Sequence, residues 1–169
     1  MTRYLKLNSS PDHCYCGSSK SFSQCCQPYI NAQKHAPNAE ALMRSRYSAY
    51  VTQAFDYVLA TYAQAQRNKL DLHQLRQDAA NTRWLKLEVL KAEPQGQNAR
   101  VEFYAYYQLS EQDKKLFYRL HELSDFCLED NKWRYTSGKI FDDSGQYKPQ
   151  RNEACPCASG KKYKKCCAN

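Results

Sequence analysis

Hydrophobic positions along the chain follow two periods in turn. Asn38, after Pro37, is placed to cap a helix, and Ala39, Leu42, Met43, Tyr47, Tyr50 and Ala54 then recur at i, i+3 and i+4. That is the single apolar stripe of an amphipathic helix. Arg44 and Ser48 fall off the stripe, and Arg46 lies at its margin. The same rhythm predicts a second helix over 56–66, with Val58, Leu59 and Tyr62 inward, and a third over 69–80 carrying Leu72 and Leu75. From Thr82 the period drops to two. Leu85, Leu87 and Val89 alternate with Lys86 and Glu88. After a turn over 94–98, Val101, Phe103, Ala105, Tyr107 and Leu109 alternate with Arg100, Glu102, Tyr104, Tyr106 and Gln108. Residues 110–114 read as a loop, 116–128 as a long strand and 129–132 as a tight hairpin, with Trp133 and Tyr135 marking the last strand. Helices followed by consecutive antiparallel strands give an α+β fold, helices packed on one sheet.

Composition narrows the class. The 169 residues accommodate one domain with small appendages. Fourteen Tyr, six Phe and two Trp exclude a disordered chain. No run approaches the roughly 20 apolar residues of a membrane span. The opening residues lack the apolar stretch of a secretory signal, so the expected location is the cytoplasm.

Nine cysteines carry the chemistry: Cys14, Cys16, Cys25 and Cys26, then Cys127, then Cys155, Cys157, Cys166 and Cys167. The two quartets share one spacing, Cys-x-Cys, eight residues, Cys-Cys, and stand 141 positions apart, so one small module is used twice. Disulfides would serve in an oxidising compartment; in a reducing one such clusters bind metal, the reading preferred here. Four thiols make a closed tetrahedral zinc set, which disfavours a catalytic metal. Two zinc ions per chain are expected, and iron is not excluded because thiolates accept both. Neighbouring thiolates such as Cys166-Cys167 are also oxidisable. His13 adjoins Cys14 but is superfluous beside four thiols, and Cys127 reads as a small buried apolar residue.

The run Cys155-Pro156-Cys157-Ala158-Ser159-Gly160-Lys161-Lys162-Tyr163-Lys164-Lys165-Cys166-Cys167 resembles the SEC-C zinc motif found at the end of the translocase ATPase SecA. Ala158 replaces the family's usual glycine, tolerable only at negative φ. A copy at each end, with the Leu42–Tyr50 segment after the first, is similar to the YchJ (UPF0225) family. The resemblance implies a zinc knuckle over 1–29, a nuclear-transport-factor-2-like (cystatin-like) cone over 30–150 and a second knuckle over 151–169. It also implies a cavity between helix and sheet. Arg44, Tyr47, Tyr50, Trp84, Tyr104 and His121 are candidates to line it, with Arg46, Tyr106, Arg119 and Glu122 as further polar groups; by strand alternation Glu122 faces away from His121. No triad order or phosphate loop stands out, His121 reads most simply as a hydrogen-bonded strand residue, and no catalytic residue is assigned.

The charge is +8 overall. Residues 151–169 hold five basic side chains and one acidic, half of the excess in the last 19 positions. Some of this offsets the roughly −2 of four thiolates on a dication. The rest makes Lys161, Lys162, Tyr163, Lys164 and Lys165 a candidate partner surface. The expected partner is a protein, through the SecA likeness one linked to a chaperone, translocation or the ribosome, with nucleic acid as an alternative. The other alternative is an enzyme or small-ligand binder using the cavity.

Overall fold

The computed structural model describes residues 13–109 and 116–168; the loop expected over 110–114 lies outside them. Asn38 caps the principal helix as its sequence predicts, its side chain accepting the Ala41 amide at 2.8 Å. This helix, α2 (Ala39–Thr52), follows one turn, α1 (Gln27–Ile30), and ends at Gln53 in the left-handed region. Three short helices follow: α3 (Phe55–Ala60), α4 (Gln64–Arg67) and α5 (Leu72–Ala79), the last capped by Asp71.

The helix expected over 56–66 is therefore two pieces. At the break the Ala63 amide donates to the Tyr135 carbonyl and the Tyr135 amide to the Thr61 carbonyl, at 2.8 and 2.9 Å. Pairing with a sheet edge satisfies the backbone there better than one more helical turn, and it covers that edge.

The strands are β1 (Thr82–Gln95), β2 (Asn98–Leu109), β3 (Phe117–Glu129), β4 (Lys132–Ile140) and β5 (Gly145–Tyr147). They form one antiparallel sheet in the order β1-β2-β3-β4. β5, not foreseen from the pattern, pairs with the start of β3 on the edge that β4 occupies further along. Register shifts between Trp84 and Lys86, between Val89 and Lys91, and between Asp125 and Phe126 mark bulges that curve the sheet. The β3–β4 hairpin turns on Asp130 and Asn131, both at positive φ, as a two-residue turn of matching twist requires.

The alternation in β2 sorts the faces. Val101, Phe103 and Ala105 join Phe126 of β3 and pack on Leu42, Met43 and Tyr47 of α2. The same apolar cluster contains Cys14, Cys16 and Cys26. The N-terminal knuckle thus contributes to the main core, and it explains why α2 is buried beyond its stripe. Ser48, off the stripe, is completely buried with its Oγ 3.8 Å from Cys14 Sγ. Arg44 is tied by Nε to Glu40 at 2.8 Å and by Nη1 to the Cys16 carbonyl at 2.9 Å.

Candidate metal centres and the central chamber

Each knuckle is one turn, a reversal and a single 3₁₀ turn, and the two copies share the hydrogen bonds that shape these turns. Cys14 N–H donates to Lys20 O at 2.7 Å, as Cys155 N–H does to Lys161 O at 2.8 Å. Gly17 N–H reaches Cys14 O, and Ala158 N–H reaches Cys155 O. The 3₁₀ turns Phe22–Gln24 and Tyr163–Lys165 deliver the second thiol pair, with Cys25 and Cys166 bonded back to Phe22 O and Tyr163 O. Ser18 Oγ donates to Cys25 Sγ at 3.1 Å, and Ser159 Oγ lies 3.2 Å from Cys166 Sγ.

The result is convergence. Within each quartet all four Sγ atoms lie within 4.8 Å of one another. Cys16–Cys25 and Cys25–Cys26 are 3.7 and 3.9 Å apart; Cys157–Cys166 and Cys166–Cys167 are 3.5 and 3.8 Å. A tetrahedron with metal–sulfur arms of ~2.3 Å has edges of about 3.8 Å, so the sulfurs already stand at the corners a metal ion needs. All nine cysteines are free thiols. His13, exposed and 3.3 Å from Ser19 O through Nδ1, is outside the ligand set. Cys127 is half-buried on β3 rather than fully buried.

Left to themselves, the thiols of a quartet cannot ionise together. Hydrogen bonds from Cys14 and then Cys26 hold Cys16 far below the ordinary thiol range, while bonds to Cys14 and Cys16, with burial, push Cys26 far above it. Burial pushes Cys25 up to about 11. In the distal quartet burial opposes ionisation of Cys157, but hydrogen bonds from Ser159 and Cys155 prevail and bring it down to about 7. Cys167 is pushed up, first by burial. A dication removes the conflict because thiolate is the form that ligates.

The copies differ in setting. Cys14, Cys16 and Cys26 are buried in the core, whereas of the distal set only Cys155 is buried. The distal knuckle is attached through the Tyr163 ring on Phe117, centroids 6.1 Å apart, and the Tyr147 hydroxyl donating to Glu153 at 2.6 Å. Tyr163, expected in the partner surface, is thus an anchor as well; Lys161, Lys162 and Lys165 are exposed and Lys164 is half-buried. Both knuckles border one recess of about 450 Å³ over β1, lined among others by Cys14, Gly17, Trp84, Leu85, Cys157 and Ala158.

Ala158 has φ +60° where the equivalent Gly17 has +81°. Left-handed backbone costs a residue bearing Cβ about 1 kcal/mol relative to glycine. Ala158→Gly is therefore expected to slow amide exchange across the distal knuckle by about fivefold, measured by hydrogen exchange; an unchanged rate would contradict the strain.

Between α2 and the sheet lies a chamber of about 320 Å³. Tyr47, Tyr50 and Trp84 line it, as expected. Arg44, Tyr104 and His121 do not. Arg44 holds the N-terminal knuckle instead. Tyr104 and His121 are register partners on the outer face, because Phe103 and Glu122, one position away, take the inner one. There His121 sits 2.6 Å from Asp143 through Nδ1 and 2.9 Å from Glu102 through Nε2, stacked on Phe141. This keeps it a hydrogen-bonded strand residue. The chamber's polar groups are those the pattern ranked lower or passed over: Arg46, Glu122, Ser124, Tyr62 and Tyr135. The inward alternation of Val101, Phe103 and Ala105 was the signal that could have turned the strand register toward Glu122.

Fold and thiol clusters together define a cone-shaped α+β domain flanked by cysteine knuckles able to hold metal. Residues 38–138 match the YchJ middle NTF2-like domain, and residues 151–169 match the SEC-C motif. A UPF0225 protein of Photorhabdus laumondii is 45% identical over 163 residues, covering 91% of this chain and 97% of its own length. One from Geobacter sulfurreducens is 38% identical, covering 91% and 96%. The solution structure of a SEC-C motif containing protein from Rhodopseudomonas palustris superposes with a TM-score of 0.71 at 32% identity, covering 77% of this chain and 99% of that one. The crystal structure of another, from Psychrobacter arcticus, gives 0.62 at 28%, covering 97% and 98%. The chain belongs to the UPF0225 (YchJ) family.

Proposed function

We propose that each quartet holds zinc and that the chain is an adaptor, its rigid core presenting two knuckles to a protein partner in the reducing cytoplasm. The carrying observation is the pairing of a closed four-thiol geometry with a basic surface whose charge exceeds the roughly −2 of a filled thiolate set. Closed sites build structure rather than catalyse. Among the described residues no carboxylate lies within ion-pair distance of Lys161, Lys162, Lys164 or Lys165. A fixed positive surface of this kind selects an acidic partner and speeds its encounter. The shared recess over β1 places the two knuckles side by side, so a partner meets both.

The test is capture from bacterial lysate on the immobilised chain at low salt, with and without nuclease. A specific polypeptide retained by the native chain, and lost when Lys161, Lys162, Lys164 and Lys165 become Glu, is the expected result. Unchanged capture would overturn the reading, and capture lost on nuclease treatment would move it to nucleic acid.

A further inference from the structure

The chamber between α2 and the sheet has a built polar end. Arg46 of α2 is only 6% exposed. Its Nη1 donates to Val58 O and to Thr61 Oγ1, both at 2.7 Å, and its guanidinium lies 4.4 and 4.7 Å from the Tyr62 and Tyr135 ring centroids. Among the described residues no carboxylate comes within 4.0 Å of it. The Tyr135 hydroxyl beneath it donates to Glu122 Oε1 at 3.1 Å, and Ser124 Oγ donates to the same oxygen at 2.6 Å. Space for that carboxylate is kept by Gly138 of β4: a Cβ there would stand 2.2 Å from Glu122 Oε1.

A buried cation held on aromatic rings and a carboxylate held on two hydroxyls are costly to keep in a core. Apolar residues at these positions would stabilise the fold more simply. The remaining walls are mostly apolar, with Leu75, Ala79, Phe103, Ala105, Leu120 and Trp84; of the polar residues, Asp78 is exposed at the rim, where it accepts from Gln74, and Thr82 is half-buried. A chamber of about 320 Å³, mostly apolar with convergent polar groups at one end, has the build and size of a small-molecule site. Because Arg46 and Glu122 offset each other's charge, the wall favours an uncharged guest. Glu122 accepts hydrogen bonds and calls for a donor.

We propose that this chamber binds a compact, uncharged, largely apolar molecule, aromatic or alicyclic, that carries one hydroxyl or amide donor directed at Glu122. The site is independent of partner docking by the knuckles. The probes are 4-ethylphenol and its methyl ether, 4-ethylanisole, which keeps the shape and loses the donor. Each is titrated into the full metal-loaded chain, with amide shifts followed by NMR. The phenol is expected to give saturable shifts at Arg46, Tyr50, Ala105 and Leu120. The ether is expected to bind about tenfold more weakly, the worth of one hydrogen bond to a charged acceptor. Glu122→Gln, which retains an acceptor for Ser124 and Tyr135, should weaken the phenol by a similar factor and leave the ether unaffected. Ala79→Phe, a change at the half-buried rim, should block both. Absence of saturable shifts with the phenol, shifts confined to other faces, or equal binding of phenol and ether would overturn the proposal.

Discussion

Replacing Cys16 by serine is expected to destabilise the entire chain, whereas the equivalent change at Cys157 should act only locally. Cys16 is fully buried, belongs to the cluster that includes Leu42, Tyr47 and Phe103, and offers its carbonyl to Arg44. With a metal ion held as proposed, loss of one thiol opens the proximal quartet, releases the ion and leaves the remaining thiols buried against α2. The binding energy of a structural metal is folding energy, so the cost is at least about 3 kcal/mol, roughly 10 °C in Tm for a chain of this size. Cys157 is half-buried in a knuckle that joins the rest mainly through Tyr163 and Glu153. Cys157→Ser should leave the main thermal transition within about 2 °C while exchange protection across 155–167 is lost. Calorimetry and hydrogen exchange on the two variants decide the matter, and equal shifts in Tm would show that the knuckles contribute alike.

Arg46 carries the second large effect. Its side chain satisfies a carbonyl of α3, fixes Thr61 at the break between α3 and α4, and fills the space between two tyrosine rings. Arg46→Ala removes these bonds, although Val58 O keeps those from the Thr61 amide and hydroxyl, and leaves a void between the two rings, an expected loss of about 3 kcal/mol. Arg46→Lys should recover little of it, because a point charge on a flexible stem cannot stack on both rings while bonding the carbonyl and the hydroxyl. Urea unfolding measures both variants. A lysine variant as stable as the native chain would mean that charge alone matters at this position.

What the sequence makes legible is local. Asn38 as cap, the tight hairpin over 129–132 and the alternation of β2 each depend on residues a few positions apart, and each appears as read. The metal quartets were legible for the same reason: eight residues suffice to bring two thiol pairs together, and the repeat writes the pattern twice. The readings that needed correction depend on distant partners. Ser48 falls off the apolar stripe yet is buried because Cys14 covers it, and the helix over 56–66 is continuous until Tyr135 offers its edge. β5 is three residues long, too short for periodicity to register, and exists because β3 extends beyond β4. Tyr104 and His121 attract attention as polar aromatics, yet the inward run Val101-x-Phe103-x-Ala105 assigns them to the outer face. Ala158 shows the limit most simply: its identity is plain, but only the backbone reveals the positive φ.

The whole account stands on two clamped ions. Elemental analysis of the purified chain, combined with thiol titration before and after a chelator, addresses it most directly. Two zinc per chain, with eight thiols protected before chelation and reactive afterwards, is the predicted result. Quartet cysteines that pair as disulfides in protein purified without added oxidant, or a chain that folds fully with no tightly held metal, would contradict it.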